Sequence, residues 1–468
     1  YIKIKYSGGY MMWKTTLLNN TYTFNSIKEI LAKANEEKSG DMLAEIGART
    51  AAERVAAKVV LADLTLEDLR NNPVIDPEDD EISRISLEQI NEKAYKKIKS
   101  MPLGSFREFL LSADTDQIKE IHEGLTAEMI AGVTKLMSNM DLITTSVKIP
   151  VTATCNTTIG LPGTFAGRLQ PNHARDDIDG IMASIYEGIS YAVGDAVIGL
   201  NPVADNVDMT LYLLGRFRDF LDEYEIPSQN CVLAHVTTQM EALKKGARMD
   251  LMFQSLAGTQ SANTGFGISV SMMDEAYEMM KEKKSSAGPN FMYFETGQGS
   301  ELSLNGHHGV DQVTLEARCY SFAKRYHPFL VNTVVGFIGP EYLYDGKQTI
   351  RAGLEDHFMG KLTGIPMGID CCHTNHMKSD QNDSDNLAIL AAAAGCNYIM
   401  GIPMADDVML MNQTTSFHDI AAIRQLLGKH PIREFESAME RLGVMKNGTL
   451  TEHAGDPSFF FGKSRRYI

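Results

Sequence analysis

The sequence predicts an α/β protein organised around an eightfold β/α barrel. Eight short apolar runs between Val147 and Pro403 each end at a polar residue, and a segment with the apolar spacing of a helix follows each run. The runs are almost continuously apolar, as parallel strands buried on both faces require. Strands and helices alternating in this number indicate a closed parallel barrel, and such barrels carry their chemistry at the carboxyl ends of the strands.

The strands and helices of the barrel are predicted from these runs. The predicted strands lie at Val147–Cys155, Ala196–Asn201, Cys231–Val236, Leu251–Leu256, Asn290–Gly297, Leu330–Ile338, Pro366–Cys371 and Tyr398–Pro403. The predicted helices lie at 178–193, 207–224, 238–246, 271–284, 308–325, 350–360, 384–394 and 416–427.

The remainder of the chain divides into three smaller regions. Residues 1–11, which precede Met12, are expected to be a non-native extension. Residues 12–146 are predicted to be mainly helical, after a hairpin at Trp13–Phe24 that turns at Asn19-Asn20. The barrel occupies 147–430, and 431–468 form a C-terminal helix and tail.

Composition limits the function of the chain. Its 468 residues are 44% hydrophobic, and its formal net charge of −16 argues against nucleic acid or an anionic membrane as the main partner. The six cysteines show no disulfide spacing, which favours a reducing cytosol. No apolar stretch is long enough to span a membrane, and the first eleven residues lack the apolar core of a secretory signal. We therefore expect a cytoplasmic protein that binds neither nucleic acid nor membrane.

Polar residues at the predicted strand ends should meet at one end of the barrel. They are Arg168, Gln170, Asn201, His235, Gln254, Glu295 and Asp370. The two carboxylates can accept hydrogen bonds from an ammonium group, and the amides can both donate to and accept from a hydroxyl. Arg168 adds a permanent positive charge. This set fits a small amino alcohol, whereas the purely structural alternative is a buried ion pair of Glu295 and Arg168 that only holds loops.

Two other functions stay open at this point. Cys371-Cys372-His373 with His376 resembles a metal cluster, but no second ligand pair has a familiar spacing, so no metal is expected. A metal-assisted barrel lyase or hydrolase acting on a small polar substrate through Asp370, His373 and His376 is the alternative enzyme. The third hypothesis is a non-catalytic scaffold. The buried polar groups argue against it, because burying such groups costs stability and a scaffold would gain no function from them.

Long motifs around the strand ends resemble a known family. They are Cys155–Phe165, Arg168–His173, Gly199–Val203, Ala234–Glu241, Phe294–Leu302, Gly336–Tyr344 and Thr374–Lys378. Together they are similar to the large subunit of ethanolamine ammonia-lyase, and the resemblance runs from about Met12 to the C-terminus. One departure is the loop at Gly401–Ala405, which we expect to be richer in glycine in the family.

The resemblance implies a fold, a reaction and partners. The family has an eightfold β/α barrel and uses adenosylcobalamin to convert ethanolamine into acetaldehyde and ammonia by a radical mechanism. A small subunit helps to enclose the cofactor, and association of large subunits with each other is expected. The resemblance implies a cytoplasmic enzyme, either free or within a bacterial microcompartment.

The resemblance also implies roles for residues of this chain. Glu295, Arg168 and Asp370 are the expected catalytic residues. The expected substrate-binding residues are Arg168, Leu169, Gln170, Asn201, Glu295 and Asp370. The expected cofactor-binding residues are Pro202, Gln254, Ser303 and Met409, with Phe253 and Ser255 nearby. Phe337 and Met400 are expected to form apolar walls, and His235 has no counterpart role.

Overall fold

A computed structural model describes residues 5–7 and 10–461, and eight parallel strands form its centre. The barrel strands β1 to β8 are Ala166–Leu169, Val197–Leu200, Asn230–Val232, Met252–Ser255, Met292–Thr296, Leu330–Val334, Met367–Asp370 and Tyr398–Gly401. Parallel ladders join them in the order β3-β2-β1-β8-β7-β6-β5-β4. A main-chain hydrogen bond of 3.3 Å from Leu251 to Asn230 links β4 to β3 across the remaining gap. The predicted β/α barrel is confirmed.

A helix follows each barrel strand. Helices α1 to α8 are Ile178–Ser190, Val207–Glu223, Val236–Lys244, Val270–Lys283, Gln312–Lys324, Gly346–Thr363, Gln381–Ala393 and Phe417–Leu427. Short helices at Gln260–Gly265 and Ser300–Ser303 precede α4 and α5. Side-chain caps fix several helix starts: Asp345, for example, accepts a hydrogen bond from the N–H of Gln348 at the start of α6. Each helix overlaps its predicted position.

The first predicted strand was wrong. Residues 147–155 do not enter the barrel sheet: Ala153–Thr154 pairs antiparallel with Thr158–Ile159. Asn397, just before β8, donates to the carbonyl of Val151 at 2.8 Å, and Asn290, just before β5, accepts from Thr154 at 2.9 Å. This small hairpin thus closes the amino-terminal end of the barrel, where Ile149, Ala153 and Cys155 are buried. The true β1 was missed because its four residues, Ala-Gly-Arg-Leu, include a glycine and an arginine.

The N-terminal region is mainly helical, as predicted. Its helices are Ile27–Ala34, Ser39–Leu43, Ala51–Asp63, Leu66–Asn71, Glu81–Glu88, Glu92–Ile98, Leu103–Ser112, Thr115–Lys119, Ala127–Lys135 and Asn139–Ser146. The hairpin pairs Tyr10–Leu17 with Asn20–Phe24, and its turn is at Leu18-Asn19, one residue before the predicted position. Lys5–Ser7 pairs with the first of these strands. The rest of the expected extension, residues 1–4, 8 and 9, lies outside the described residues.

Buried ion pairs join the N-terminal region to the barrel. Lys38 Nζ lies 2.7 Å from Glu355 Oε2 of α6, and both side chains are fully buried. Lys135 Nζ lies 2.8 Å from Asp311 Oδ1, immediately before α5. A buried charge without a partner destabilises the folded state, so each member of these pairs depends on the other. The N-terminal helices therefore cover α5 and α6 and share one core with the barrel.

The C-terminal region follows α8. It contains a helix at Arg433–Arg441, a hairpin of Met445–Lys446 with Thr449–Leu450, and a 3₁₀ helix at Pro457–Phe461. Phe460 packs against Phe220 of α2 with ring centroids 5.5 Å apart. Residues 462–468 of the predicted tail lie outside the described residues. Across the described part of the chain, every helix is too short or too polar to cross a membrane.

Candidate active site

The carboxyl ends of the barrel strands surround a cavity of about 280 Å³. We call this end of the barrel the mouth. Of the polar residues predicted to meet there, five line the cavity: Arg168, Gln170, Asn201, Glu295 and Asp370. They reach it from β1, β2, β5 and β7, whose carboxyl ends all lie at this end of the closed sheet. Apolar walls come from residues that include the predicted Phe337 and Met400.

Arg168 is the centre of the polar network. Its guanidinium donates to Glu295 Oε1 at 2.5 Å, to Asn201 Oδ1 at 3.2 Å and to Gln170 Oε1. The side chain is only 1% exposed. Burial alone would lower the pKa of Arg168, but the neighbouring Tyr293 and Glu295 raise it above its ordinary value, so the guanidinium stays charged.

Glu295 is held by one of its two oxygens. Its Oε1 accepts from Arg168 at 2.5 Å, from the Tyr293 hydroxyl at 2.8 Å and from Asn332 Nδ2 at 3.4 Å. Among the residues that the structure describes, no protein donor bonds to Oε2. A carboxylate fixed in this way keeps a strong acceptor for a group inside the cavity.

Asp370 lies at the end of β7 and is almost completely buried. Thr414 donates to its Oδ1 at 2.5 Å. Burial raises the pKa of the Asp370 carboxyl to about 7, against the lowering effects of the Thr414 hydrogen bond and the charge of Arg168. Its charge therefore changes close to neutral pH.

Several neighbours of these residues were not predicted. Asp407 accepts from both Gln170 and Asn172 at 2.8 Å, and Tyr293 and Thr414 hold the two cavity carboxylates. Tyr293 carried a usable signal, because it lies two residues before Glu295 on the same face of β5. Asn172 lies within the Arg168–His173 motif.

Some predicted residues direct their side chains elsewhere. Leu169 is fully buried and lies against Gly188 of α1, on the outer face of β1. Gln254 accepts from the N–H of Val236 at 2.9 Å and donates to the carbonyl of Ser255 at 3.1 Å, so its amide is engaged by the protein. His235 caps α3 through its bond with Thr237 and does not line the cavity.

The expected cofactor-binding residues divide into two groups. Phe253 and Ser255 of β4 line the cavity itself. Pro202, Ser303 and Met409 lie in the segments that follow β2, β5 and β8, and therefore at the same mouth. Their role as cofactor contacts stays a prediction.

The loop after β8 has an unusual backbone. Met404 and Ala405 have φ angles of 54° and 62°, in the left-handed region that glycine adopts most readily. That the family is richer in glycine at this place stays a prediction.

The residues of the metal-assisted alternative do not form a cluster. Asp370 faces the cavity, whereas His373 Nδ1 bonds to Ser384 Oγ of α7 at 3.0 Å. Within the described ranges, no three His, Cys, Asp or Glu side chains are placed to share a metal ion.

Comparison with known proteins decides the family. The family model for the ethanolamine ammonia lyase large subunit matches residues 22–453. The chain belongs to this family. The family and the enzyme class predicted from the sequence motifs are thereby confirmed.

Named relatives cover almost the whole chain. The ethanolamine ammonia-lyase large subunit of Escherichia coli (strain K12) is 55% identical over 453 residues, which is 96% of this chain and 100% of the relative. The corresponding subunit of Salmonella typhimurium (strain LT2) has the same identity and coverage. Among solved structures, the type I 3-dehydroquinate dehydratase of Clostridium difficile is similar over 60% of this chain and 98% of that chain, with 12% identity and a TM-score of 0.38.

Proposed function

We propose that this chain is the catalytic subunit of an adenosylcobalamin-dependent enzyme that converts ethanolamine into acetaldehyde and ammonia by a radical mechanism. One observation carries the proposal: Glu295 and Asp370 face one cavity together with a single guanidinium. Two carboxylates and one fixed positive charge leave negative charge that a small ammonium compound would balance. The names of the relatives, which refer to ethanolamine, support the same substrate.

Asp370 is the proposed partner of the ammonium group. It is buried, so its ionised form is disfavoured while the cavity lacks a cation. A bound ammonium would stabilise the carboxylate and lower its pKa. This coupling favours a protonated amine over a neutral molecule of the same shape.

Glu295, Gln170, Asn201 and Arg168 are the proposed partners of the hydroxyl end. Arg168 offsets negative charge at the substrate oxygen, and the two amides orient the hydroxyl. Glu295 Oε2 can accept a proton from the hydroxyl and pass it to the ammonia released when the carbon–nitrogen bond breaks, which then leaves as ammonium. Leu169, whose side chain faces α1, would contribute to this end only through its main chain.

The mouth fits a large cofactor. Val203, Phe337, Met404 and Met411 are exposed apolar side chains on loops that follow β2, β6 and β8. Exposed apolar surface around a polar cavity is suited to a broad ring system and a covering subunit. When bound, adenosylcobalamin supplies a carbon-centred radical that removes hydrogen from the hydroxyl-bearing carbon of the substrate.

The proposed holders of the cofactor are Phe253, Ser255, Pro202, Ser303 and Met409. Gln254, which is already bonded within the protein, would serve by fixing β4 to α3. With the mouth covered by the cofactor and the small subunit, the barrel walls would shield the cavity from water and so protect a reactive intermediate.

A partner subunit and a location belong to the same proposal. The relatives are named as large subunits, which supports a small-subunit partner. We also infer association of large subunits with each other. All six cysteines are buried and free, in keeping with a cytosolic location, either free or within a protein-shelled microcompartment.

Reconstitution tests the proposal. The chain is mixed with a family small subunit, adenosylcobalamin and ethanolamine, and acetaldehyde is measured with an alcohol dehydrogenase. We expect turnover that requires all four components. Absence of acetaldehyde, with both subunits folded and the cofactor bound, would reject the proposal.

A further inference from the structure

Asp407 lies behind the cavity wall and is only 2% exposed. Its Oδ2 accepts hydrogen bonds from Gln170 Nε2 and Asn172 Nδ2, each at 2.8 Å. Its Oδ1 accepts from the N–H groups of Met409 at 3.0 Å and Leu410 at 2.7 Å. One carboxylate therefore connects the segment after β1 to the loop after β8.

The charge of this carboxylate fixes the direction of two amides. An ionised carboxylate only accepts hydrogen bonds, so Gln170 and Asn172 must both turn their NH₂ groups toward Asp407. Their oxygens then point the other way. Gln170 Oε1 accepts from Arg168, and Asn172 Oδ1 accepts from the N–H of Asn201 at 2.8 Å. A reversed Gln170 amide would set a donor against the guanidinium.

We propose that Asp407 is a positioning residue of the active site. It holds Gln170 and Asn172 in the one orientation that satisfies Arg168 and Asn201. Its other oxygen fixes Leu410, which forms part of the cavity wall. Asp407 does not line the cavity and is not itself catalytic. The inference rests on the proposed function only where turnover is the measurement.

A purely local role is the competing explanation, in which Asp407 only stabilises its own loop. Asp407→Asn separates the two roles. The new amide oxygen can keep the bonds to Met409 and Leu410, which preserves the loop. Its NH₂ group then faces the NH₂ groups of Gln170 and Asn172. A positioning role predicts a fall in kcat/KM on the order of a hundredfold, as for a displaced catalytic group.

The matched control is Asp406→Asn. Asp406 is the adjacent carboxylate in the sequence, but it is exposed, and among the described residues its side chain accepts only from Gln413, at 3.1 Å. We expect this variant to keep the kinetics of the unmodified enzyme. Both variants should unfold within a few degrees of that enzyme in a thermal scan, as expected for changes that keep the loop.

A polarity swap supplies a second test. In the double variant Gln170→Glu with Asp407→Asn, the donor lies at position 407 and the acceptor at position 170. The new carboxylate at 170 can accept from position 407 and still accept from Arg168. We expect kcat/KM to recover at least about tenfold over the single Asp407→Asn variant, because the two changes are coupled. A local role predicts no recovery.

The four proteins are assayed with small subunit, adenosylcobalamin and ethanolamine, and a crystal structure of Asp407→Asn is determined. A lower kcat/KM in Asp407→Asn that recovers in the double variant supports the inference. A kcat/KM of Asp407→Asn equal to that of Asp406→Asn overturns it.

If the unmodified enzyme shows no turnover, the proposed function fails and the crystal structure of Asp407→Asn decides. Displacement of Arg168 from Gln170 in that structure supports a positioning role, and an unchanged hydrogen-bond network overturns it. If Asp407→Asn does not fold, a folded and active double variant supports the inference, and its failure overturns it.

Discussion

Arg168 Nη1 lies 2.5 Å from Oε1 of Glu295, although the two residues are 127 positions apart in the chain. The pair crosses the barrel interior and holds one oxygen of Glu295 in place. The contact confirms part of the structural alternative raised by the sequence, since these residues do form a buried ion pair. It does not restrict Glu295 to that role, because Oε2 accepts no hydrogen bond from the described residues.

Glu295→Gln should lower turnover of ethanolamine by about a hundredfold or more, because the amide cannot take up and return a proton. The fold should remain intact, since the amide is close in shape and its oxygen can still accept from Arg168. Acetaldehyde formation and circular dichroism measure the two effects. Glu241→Gln, on the exposed face of α3, is the control and should be unaffected. Unchanged turnover in Glu295→Gln would remove this residue from the mechanism.

Arg168→Lys should weaken substrate binding. The guanidinium serves Glu295, Gln170 and Asn201 at once, and a lysine ammonium cannot reproduce that planar geometry. We expect KM for ethanolamine to rise by about tenfold or more, in line with loss of a charged hydrogen bond. Arg175→Lys, an exposed change in the same β1–α1 connection, is the control. Equal KM values for the two variants would show that the guanidinium of Arg168 is not needed for ethanolamine binding.

Asp370 should make activity depend on pH near neutrality. Because burial raises its pKa to about 7 and only the ionised form pairs with an ammonium, kcat/KM should rise as pH increases through that value. A profile of kcat/KM from pH 5.5 to 8.5 measures this. A flat profile across that range would show that ionisation of Asp370 does not control binding.

The same pKa shift should affect stability in the opposite direction. The folded-state pKa of Asp370 lies above the ordinary value of 3.8, so protonated Asp370 contributes stability that is complete below about pH 4. That contribution is lost as pH rises through about 7. Asp370→Asn should therefore gain stability relative to the unmodified chain between pH 5 and 8, measured by urea unfolding. If the difference in free energy of unfolding between Asp370→Asn and the unmodified chain stayed constant from pH 5 to 8, Asp370 would not have a raised pKa in the folded state.

Lys38→Met should destabilise the folded chain by about 3–5 kcal/mol, because it leaves Glu355 buried without its 2.7 Å partner. Lys38 and Arg351 together hold the pKa of Glu355 at about 2 despite its burial. Urea unfolding at neutral pH measures the loss. The control is Lys97→Met, which removes an exposed ion pair with Glu120 and should cost less than about 1 kcal/mol. Equal costs would show that the buried pair does not join the two regions.

The barrel and part of its site could be predicted from local patterns. Seven of its strands overlap the mainly apolar runs seen in the sequence, and Asn201, Glu295 and Asp370 lie at or directly after the ends of such runs. A polar residue at that position is easily seen in a sequence. Because barrel topology brings strand ends together, their meeting at one cavity follows without knowledge of the contacts.

The remaining features depend on contacts between distant segments. The strand β1 has only four residues, and two of them are a glycine and an arginine. The run at 147–155 instead closes the other end of the barrel, where Ile149, Ala153 and Cys155 are buried. Asp407 follows a loop that local patterns do not connect to Gln170, 237 positions earlier. The side-chain direction of Leu169 likewise depends on how α1 packs over β1.

A crystal structure of the enzyme with ethanolamine and a non-reactive cobalamin is the most direct test of the central claim. We expect the ammonium to lie within hydrogen-bond distance of Asp370, and the hydroxyl to lie beside Oε2 of Glu295 and the amides of Gln170 and Asn201. Ethanolamine bound outside this cavity, or bound in it with its ammonium turned toward Arg168, would show that these residues do not bind the substrate as proposed.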